Sequence, residues 1–276
     1  MPAHVLDQMM NSTVRIESRA ENGSIATGTG FLYAFHHDRN TGNLVPGIIT
    51  NKHVVEEAQQ ISFPVNVKRQ GSEDPIGFEN VTLQHGSLTI VNHPSDNVDL
   101  CAILAAPIFH HFEVNGFEVG LSFISKDNIA NKAFFDYLLP LEELTMIGYP
   151  NGIWDSYNNG AIARRGSIAT TPAHDYLGKS QFVMDMACFP GSSGSPVFLT
   201  NLSGYMDRNN NTFMGGRIKL LGVLYAGPQH MANGSIEVEL IPTHNKPVSK
   251  TSIPNNLGYV IKSTEIDVLE QQIPPC

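Results

Sequence analysis

The chain predicts an all-β fold, a barrel or a sandwich, and three features point that way. Short apolar stretches recur along its length, bounded by Gly, Pro, Asn or Ser. Apolar residues make up 41% of the 276 positions and charged ones only 16%, which suits short strands better than long charged helices. The 24 glycines and 17 prolines supply turns throughout.

Taken in order, a polar start leads to an alternating strand over Ser12–Arg19. Ile25–Ala34 is a second strand with glycines inside it, and residues 36–46 form a polar hairpin insertion. Gly47–Thr50 returns as a buried strand and delivers Asn51-Lys52-His53-Val54-Val55, a short turn or helix. Ile61–Lys68 is a strand, 81–91 holds two more, and Asp99–Ala105 is nearly continuous apolar strand. Between Pro107 and Pro140 the pattern turns irregular, with a short helix over Asp127–Leu139. Leu144–Tyr149, Ala161–Ala169, Gln181–Met186, Pro196–Leu199, Lys219–Tyr225, Ile236–Ile241 and Leu257–Ile261 complete the strands, and Ser203–Gly216 is a polar loop. Ser263 or Thr264 caps a last amphipathic helix running to Gln271.

Composition excludes some partners. The net charge is −9, and Arg164-Arg165 is the only Arg-Arg pair, so no cationic footprint for nucleic acid is present. No apolar run approaches the roughly 18–20 residues of a membrane span. The start Met1-Pro2-Ala3-His4-Val5-Leu6-Asp7 lacks a signal-peptide pattern, and Cys101, Cys188 and Cys276 lack disulfide-framework spacing. Together they predict a reduced, cytoplasmic setting.

Chemistry concentrates in Ala187-Cys188-Phe189-Pro190-Gly191-Ser192-Ser193-Gly194-Ser195-Pro196. A loop that turns sharply, presents a hydroxyl and exposes backbone N–H groups has this composition, and so does an ordinary polar turn. A serine hydroxyl becomes an effective nucleophile when a base takes its proton and a third group fixes the base's tautomer. His53, after a buried-looking strand, and Asp99, at the head of an apolar one, are the candidates to serve Ser193. An acid opening an apolar strand needs solvent or a partner, and a histidine N–H is such a partner. Asp96 lies in a Pro-Ser-Asp-Asn turn and caps it. Each residue alone also has a structural reading, as a hydrogen-bonded histidine, a strand-start cap or a turn serine.

In combination these segments resemble the chymotrypsin-like serine proteases, of the compact bacterial type with few cysteines. Gly28-Thr29-Gly30-Phe31 is similar to that family's glycine-containing first barrel strand, and Thr50-Asn51-Lys52-His53-Val54 to its histidine motif. Val98-Asp99-Leu100-Cys101-Ala102 is similar to its aspartate motif, and Gly191-Ser192-Ser193-Gly194-Ser195-Pro196 to its serine motif. The order His, Asp, Ser is the family's, and the likeness runs roughly from 28 to 261. It implies two packed six-stranded antiparallel β-barrels with a C-terminal helix. The first barrel (1–120) would carry His53 and Asp99, the second (141–276) Ser193, with 121–140 connecting them.

The same resemblance implies a serine endopeptidase acting on protein or peptide through an acyl-enzyme. Ser193 is then the nucleophile among the three loop serines, His53 the base and Asp99 its orienting acid. The N–H groups of Gly191 and Ser193 form the oxyanion hole. No cofactor or metal is implied: His36-His37 with Asp38, and His110-His111 with Glu113, offer no arrangement that closes a tetrahedral site. Gly28-Thr29-Gly30 lacks the full dinucleotide fingerprint.

Departures from the family pattern refine the expectation. Asn51 replaces the usual alanine. Ser192 stands where activated digestive members carry an aspartate that receives an N-terminal ammonium. The loop is therefore held by other contacts, or ordered by an activating sensor or regulatory partner. Ala187, six residues before Ser193, falls at the base of the specificity pocket. An arginine-selective enzyme has a carboxylate there, so a small or medium apolar P1 residue is expected. Cys188 and Phe189 are expected to line that pocket, and Tyr225-Ala226-Gly227 resembles its wall and the strand that pairs with substrate backbone. The rival readings are a peptide-binding scaffold with a collapsed oxyanion loop, and an effector protease silent until a partner binds.

Overall fold

The computed structural model describes residues 4–72, 77–120, 122–235 and 248–275. Its first elements are α1 (Val5–Met10), β1 (Thr13–Arg19), β2 (Ile25–Phe35), β3 (Val45–Thr50), α2 (Lys52–Val55), β4 (Gln60–Arg69), β5 (Gly77–Gln84), β6 (Ile90–Asn92) and β7 (Cys101–Leu104). Then come α3 (Ala106–Val114), β8 (Phe117–Val119), β9 (Ile124–Ser125), α4 (Lys132–Tyr137), β10 (Glu143–Gly148), β11 (Ile162–Ile168), β12 (Gln181–Asp185) and β13 (Pro196–Asn201). The last are β14 (Gly204–Met206), β15 (Thr212–Met214), β16 (Arg217–Ala226), β17 (Gln229–Ser235), β18 (Val248–Pro254), β19 (Leu257–Lys262) and α5 (Thr264–Glu270).

The double-barrel architecture is present, with an asymmetry between its halves. The second half is a closed six-stranded barrel in the order β10-β11-β12-β19-β16-β13. The first is a nine-stranded sheet whose path, β5-β4-β1-β2-β3-β7-β6, curls without closing and takes β8 and β9 as side branches. All its pairings are antiparallel except β2 with β9.

Strand alternation sorts the core into three clusters. On β2, Leu32 points into the first sheet with Val14, Ile16, Ile48 and Phe63. Phe31, Tyr33 and Phe35 point the other way, into a cluster shared with Ile147, Phe198, Val223 and Ile261 of the second barrel. A strand buried on both faces has to be apolar without interruption, which is how 31–35 reads. The third cluster, around Leu144, Phe182, Met184, Leu199, Leu221 and Val260, fills the second barrel.

The terminal helix joins the halves rather than capping one. Ile266, Leu269 and Ile273 enter the shared cluster with Met9 of α1. The buried Glu270 carboxylate accepts from the His36 N–H at 2.6 Å, and His36 Nε2 lies 2.7 Å from the Ile273 carbonyl. His93 Nε2 faces Glu265 at 3.0 Å, and Lys126 pairs with Asp267 at 3.0 Å. His36 thus anchors α5 to the first half.

Several elements differ from the sequence expectation. The polar start contains α1. The stretch 107–140, expected to be irregular apart from a helix over Asp127–Leu139, holds α3, β8 and β9, and its later helix is the shorter α4. The polar loop 203–216 contains the hairpin β14–β15, where Tyr205 stacks on Phe213 with centroids 5.0 Å apart. Asp99 precedes its strand by two residues. The expected strand Ile236–Ile241 and Cys276 lie outside the described residues.

Candidate active site

His53 and Asp99 meet because β3 and β7 are neighbours. Their register pairs Thr50 with Cys101, so the chain leaving β3 and the chain entering β7 lie side by side. His53 follows in the one-turn helix α2. Its backbone N–H donates to Asp99 Oδ1 at 3.2 Å, and its Nδ1 bonds Asp99 Oδ2. One carboxylate therefore fixes both the helix turn and the ring. The fully buried Asn51 extends this frame, its Nδ2 donating to the Asp99 carbonyl at 2.7 Å. That is the structural use of the residue replacing alanine. The imidazole remains about half exposed, whereas Asp99 is mostly covered.

Ser193 lies in the β12–β13 loop of the second barrel, which leans on the first. The Thr29 N–H donates to the Ser193 carbonyl at 2.8 Å. A Cβ on Gly194 would stand 1.9 Å from the Thr29 carbonyl oxygen and 2.6 Å from Thr50 Oγ1, three residues before His53. Only glycine allows that approach, and at φ +86° only glycine adopts the backbone without strain. Burial raises the Tyr225 phenol above its ordinary range, and the charges of Tyr259 and Asp99 push the same way.

Hydrogen bonds fix the path of the serine loop from Phe189 to Ser195. The Phe189 carbonyl accepts from Ser192 N–H at 3.0 Å, Pro190 from Asn151 N–H at 2.6 Å, and Ser192 from Ser195 N–H at 3.0 Å. The Gly191 carbonyl accepts from Thr29 Oγ1 at 2.9 Å. The Gly194 N–H donates to Leu224 at 2.8 Å. Within 190–195 two N–H groups, those of Gly191 and Ser193, donate to none of the described residues. A trans peptide points its N–H opposite to its carbonyl, so the bonds to Pro190 and Ser192 set the directions of these two amides. Gly191 makes its turn at φ +88°.

Ser192 and Ser195 are both fully buried, and neither hydroxyl has a hydrogen-bond partner among the described residues. Ser195 Oγ occupies the place a Cβ on Gly148 would need, 2.0 Å away. Ser193 is the loop serine left partly accessible.

Beside Ser193 opens a cavity of about 130 Å³ lined by Cys188, Phe189, Pro190, Leu224, Ala226, Gly227 and Pro228. Ala187 and Tyr225, expected in its base and wall, do not line it. The Cys188 side chain takes that place, its Sγ donating to the Met186 carbonyl at 3.2 Å. Pairing of β16 with β19 slips at Tyr225, and the Tyr225 hydroxyl donates to Gln181 Oε1 at 2.5 Å. Leu224, Pro190 and Pro228 were not anticipated, although Leu224 adjoins the segment picked out from the sequence. Burial pushes the Cys188 thiol up to about 11, against the opposing pull of the Arg164 guanidinium. Arg164 lies over the Phe189 ring, 5.0 Å from its centroid.

The double β-barrel carries a histidine–aspartate pair in one half and a glycine-flanked serine loop in the other, and its fold is that of the serine-protease class. A family model for the trypsin-like peptidase domain matches residues 28–204, and the chain belongs to that family. Among solved structures it is similar to the Rv3671c protease from M. tuberculosis in its active form, with 15% identity and a TM-score of 0.50 over 99% of this chain and 85% of that one. It is also similar to the HtrA-type protease AlgW with tripeptide, with 13% identity and a TM-score of 0.51 over 96% of this chain and 61% of that one. At these identities the likeness is one of fold. No curated protein matches the sequence.

Proposed function

We propose that the protein is a serine endopeptidase in which Ser193, His53 and Asp99 form the catalytic triad. The Nδ1–H of His53 is committed to Asp99, which leaves Nε2 as the basic nitrogen of the neutral ring. In this reading Nε2 takes the proton from Ser193 Oγ as that oxygen attacks the peptide carbonyl. The same proton passes to the amine as the C–N bond breaks, leaving an acyl-enzyme. Water repeats the sequence and releases the acid.

The observation that carries the reading is the pair of uncommitted amides, Gly191 and Ser193, in the turn 190–195, whose other N–H groups are all bonded. The N–H groups of Gly191 and Ser193 serve as oxyanion donors, each worth about 2.7–4 kcal/mol in the transition state. Because the Pro190 carbonyl is held away by Asn151, the loop supports an oxyanion hole formed before substrate arrives rather than a collapsed one.

The cavity beside Ser193 supports a small or medium apolar P1 residue. At about 30 Å³ per water-sized group, its volume takes about four heavy atoms, the size of a valine or leucine side chain. Among the described residues no carboxylate lines it to receive a cation. Labelling by a peptidyl phosphonate with leucine at P1, scored by intact mass, tests the assignment. The wild type should gain one phosphonyl group and cleave the matching peptide, and a folded Ser193→Ala variant should do neither. Equal labelling of the two would sink the triad.

A further inference from the structure

We propose that Thr29 is a positioning residue for the catalytic loop, acting across the barrel interface to hold the Gly191 and Ser193 amides in register with His53. The inference rests on the protease reading above and assigns a role to a side chain outside the triad and the oxyanion donors.

Thr29 occupies a gap in the first sheet. From Phe31 onward β2 pairs with β3, beginning at Phe31 with Ile49. At Thr50 the chain turns away towards α2, so Thr29, covered by β1 on one side, pairs with no described strand on its β3 side. The serine loop takes that side. Thr29 N–H donates to the Ser193 carbonyl, while the Thr29 carbonyl accepts from Thr50 Oγ1 at 2.7 Å. One residue thus links the strand that leads to His53 with the loop that carries Ser193.

Its side chain adds a second link. The fully buried Oγ1 donates to the Gly191 carbonyl at 2.9 Å and accepts from the Tyr149 N–H at 3.2 Å, so donor and acceptor capacity are both used. Gly191 is the most permissive point of the loop, and its carbonyl has no other partner among the described residues. Without the threonine hydroxyl, the Gly191–Ser192 peptide keeps one hydrogen bond among the described residues, from the Ser192 N–H to the Phe189 carbonyl, and loses the one that reaches across the interface. The depth of Thr29 is fixed by its neighbours. Added Cβ atoms on Gly28 and Gly30 would lie 2.5 Å from Val54 and 2.6 Å from Ile48, so β2 rests directly against the elements around His53.

Thr29→Val keeps the branched shape and the backbone N–H and replaces the hydroxyl with a methyl, so the Tyr149 N–H loses its acceptor too. Displacing a reacting group by about 1 Å costs up to about 100-fold in rate. The expected result is a kcat about 10–100-fold lower on a peptide p-nitroanilide with leucine at P1, a KM within about twofold, and near-wild-type kcat in Thr29→Ser. Thr29→Ala, which adds no atoms, gives the same comparison where the second valine methyl is not tolerated. Wild-type kcat in the hydroxyl-free variants, or an equal loss in Thr29→Ser, overturns the assignment. A wild-type protein that neither cleaves nor labels overturns the protease reading instead. The crystal structure of Thr29→Val then decides alone: a Gly191 carbonyl swung from its wild-type direction sustains the positioning role, and an unmoved loop ends it.

Discussion

Gly191→Ala tests how far the serine loop depends on its backbone path. An added Cβ would stand 2.5 Å from the Tyr149 carbonyl oxygen, 3.1 Å from Thr29 Oγ1 and 3.2 Å from the Gly152 N. The nearest of these is backbone, so no side-chain rotation relieves it. The residue also holds φ +88°, which costs a non-glycine residue about 1–2 kcal/mol. The loop should therefore move and withdraw one oxyanion donor, at about 2.7–4 kcal/mol or 10²–10³ in rate. Gly23→Ala is the control, because Gly23 holds a similar φ of +79° with nothing within 4 Å of its added Cβ. Both variants should melt a few degrees lower, at about 2–4 °C per kcal/mol in a chain of this size. Only Gly191→Ala should lose phosphonate labelling, measured as a second-order rate by intact mass. Labelling of Gly191→Ala within threefold of wild type, or an equal loss in Gly23→Ala, would refute the argument.

Two further outcomes are expected. Asp99→Asn replaces the acceptor at His53 Nδ1 with an amide that can donate there, favouring the wrong tautomer, and kcat should fall on the order of 10⁴-fold at neutral pH with little change in melting temperature. Cys188 tests the electrostatics of the cavity. With its thiol raised to about 11, it stays protonated through neutral pH. An ordinary cysteine near 8.5 has about a quarter of its thiol ionised at pH 8, against about one in a thousand for Cys188. Iodoacetamide should therefore modify Cys188 on the order of 10²-fold more slowly than an exposed cysteine at pH 8. The rate should rise about tenfold per pH unit towards 11, and a plateau near pH 8.5 in peptide-mapped alkylation would contradict that environment.

The parts of this architecture legible in the sequence are those set by local pattern. Phe31 to Phe35 reads as strand because both of its faces are buried, Gln181–Met186 reads the same way, and Leu257–Ile261 starts with half-buried and buried positions in alternation. Less was legible where few residues form an element or the partner is distant. The strand β9 has two residues and is defined by its parallel pairing with Tyr33 and Ala34. The helix α3 left one signal, Ile108 and Phe112 four apart and both buried, which the prolines and histidines around it obscured. At the site, motif order singled out His53, Asp99 and Ser193, and the geometry brings the first two into direct contact. It did not determine which side chains face the cavity. Whether residue 187 or 188 does so depends on how the loop crosses β19, and the 2.7 Å approach of Cys188 Sγ to a Cβ position on Gly258 records that crossing.

The proposed site draws on both halves, and this gives the interface a chemical role. The first half holds the histidine and its carboxylate. The second holds the serine and the cavity, yet the Gly191 and Ser193 carbonyls find their partners at Thr29 in the first. Separating the halves would therefore expose the apolar cluster around Phe31, Tyr33, Phe198 and Val223 and also unlatch the serine loop. Helix α5 opposes that separation from the far side, with Glu270 on the His36 amide and Ile266 and Leu269 in the shared cluster. Any change that loosens α5 should thus act on loop order as well as on stability. A protein with Ser192 in place of an ammonium-binding aspartate can hold its loop through this interface, without a chain terminus inserted behind it.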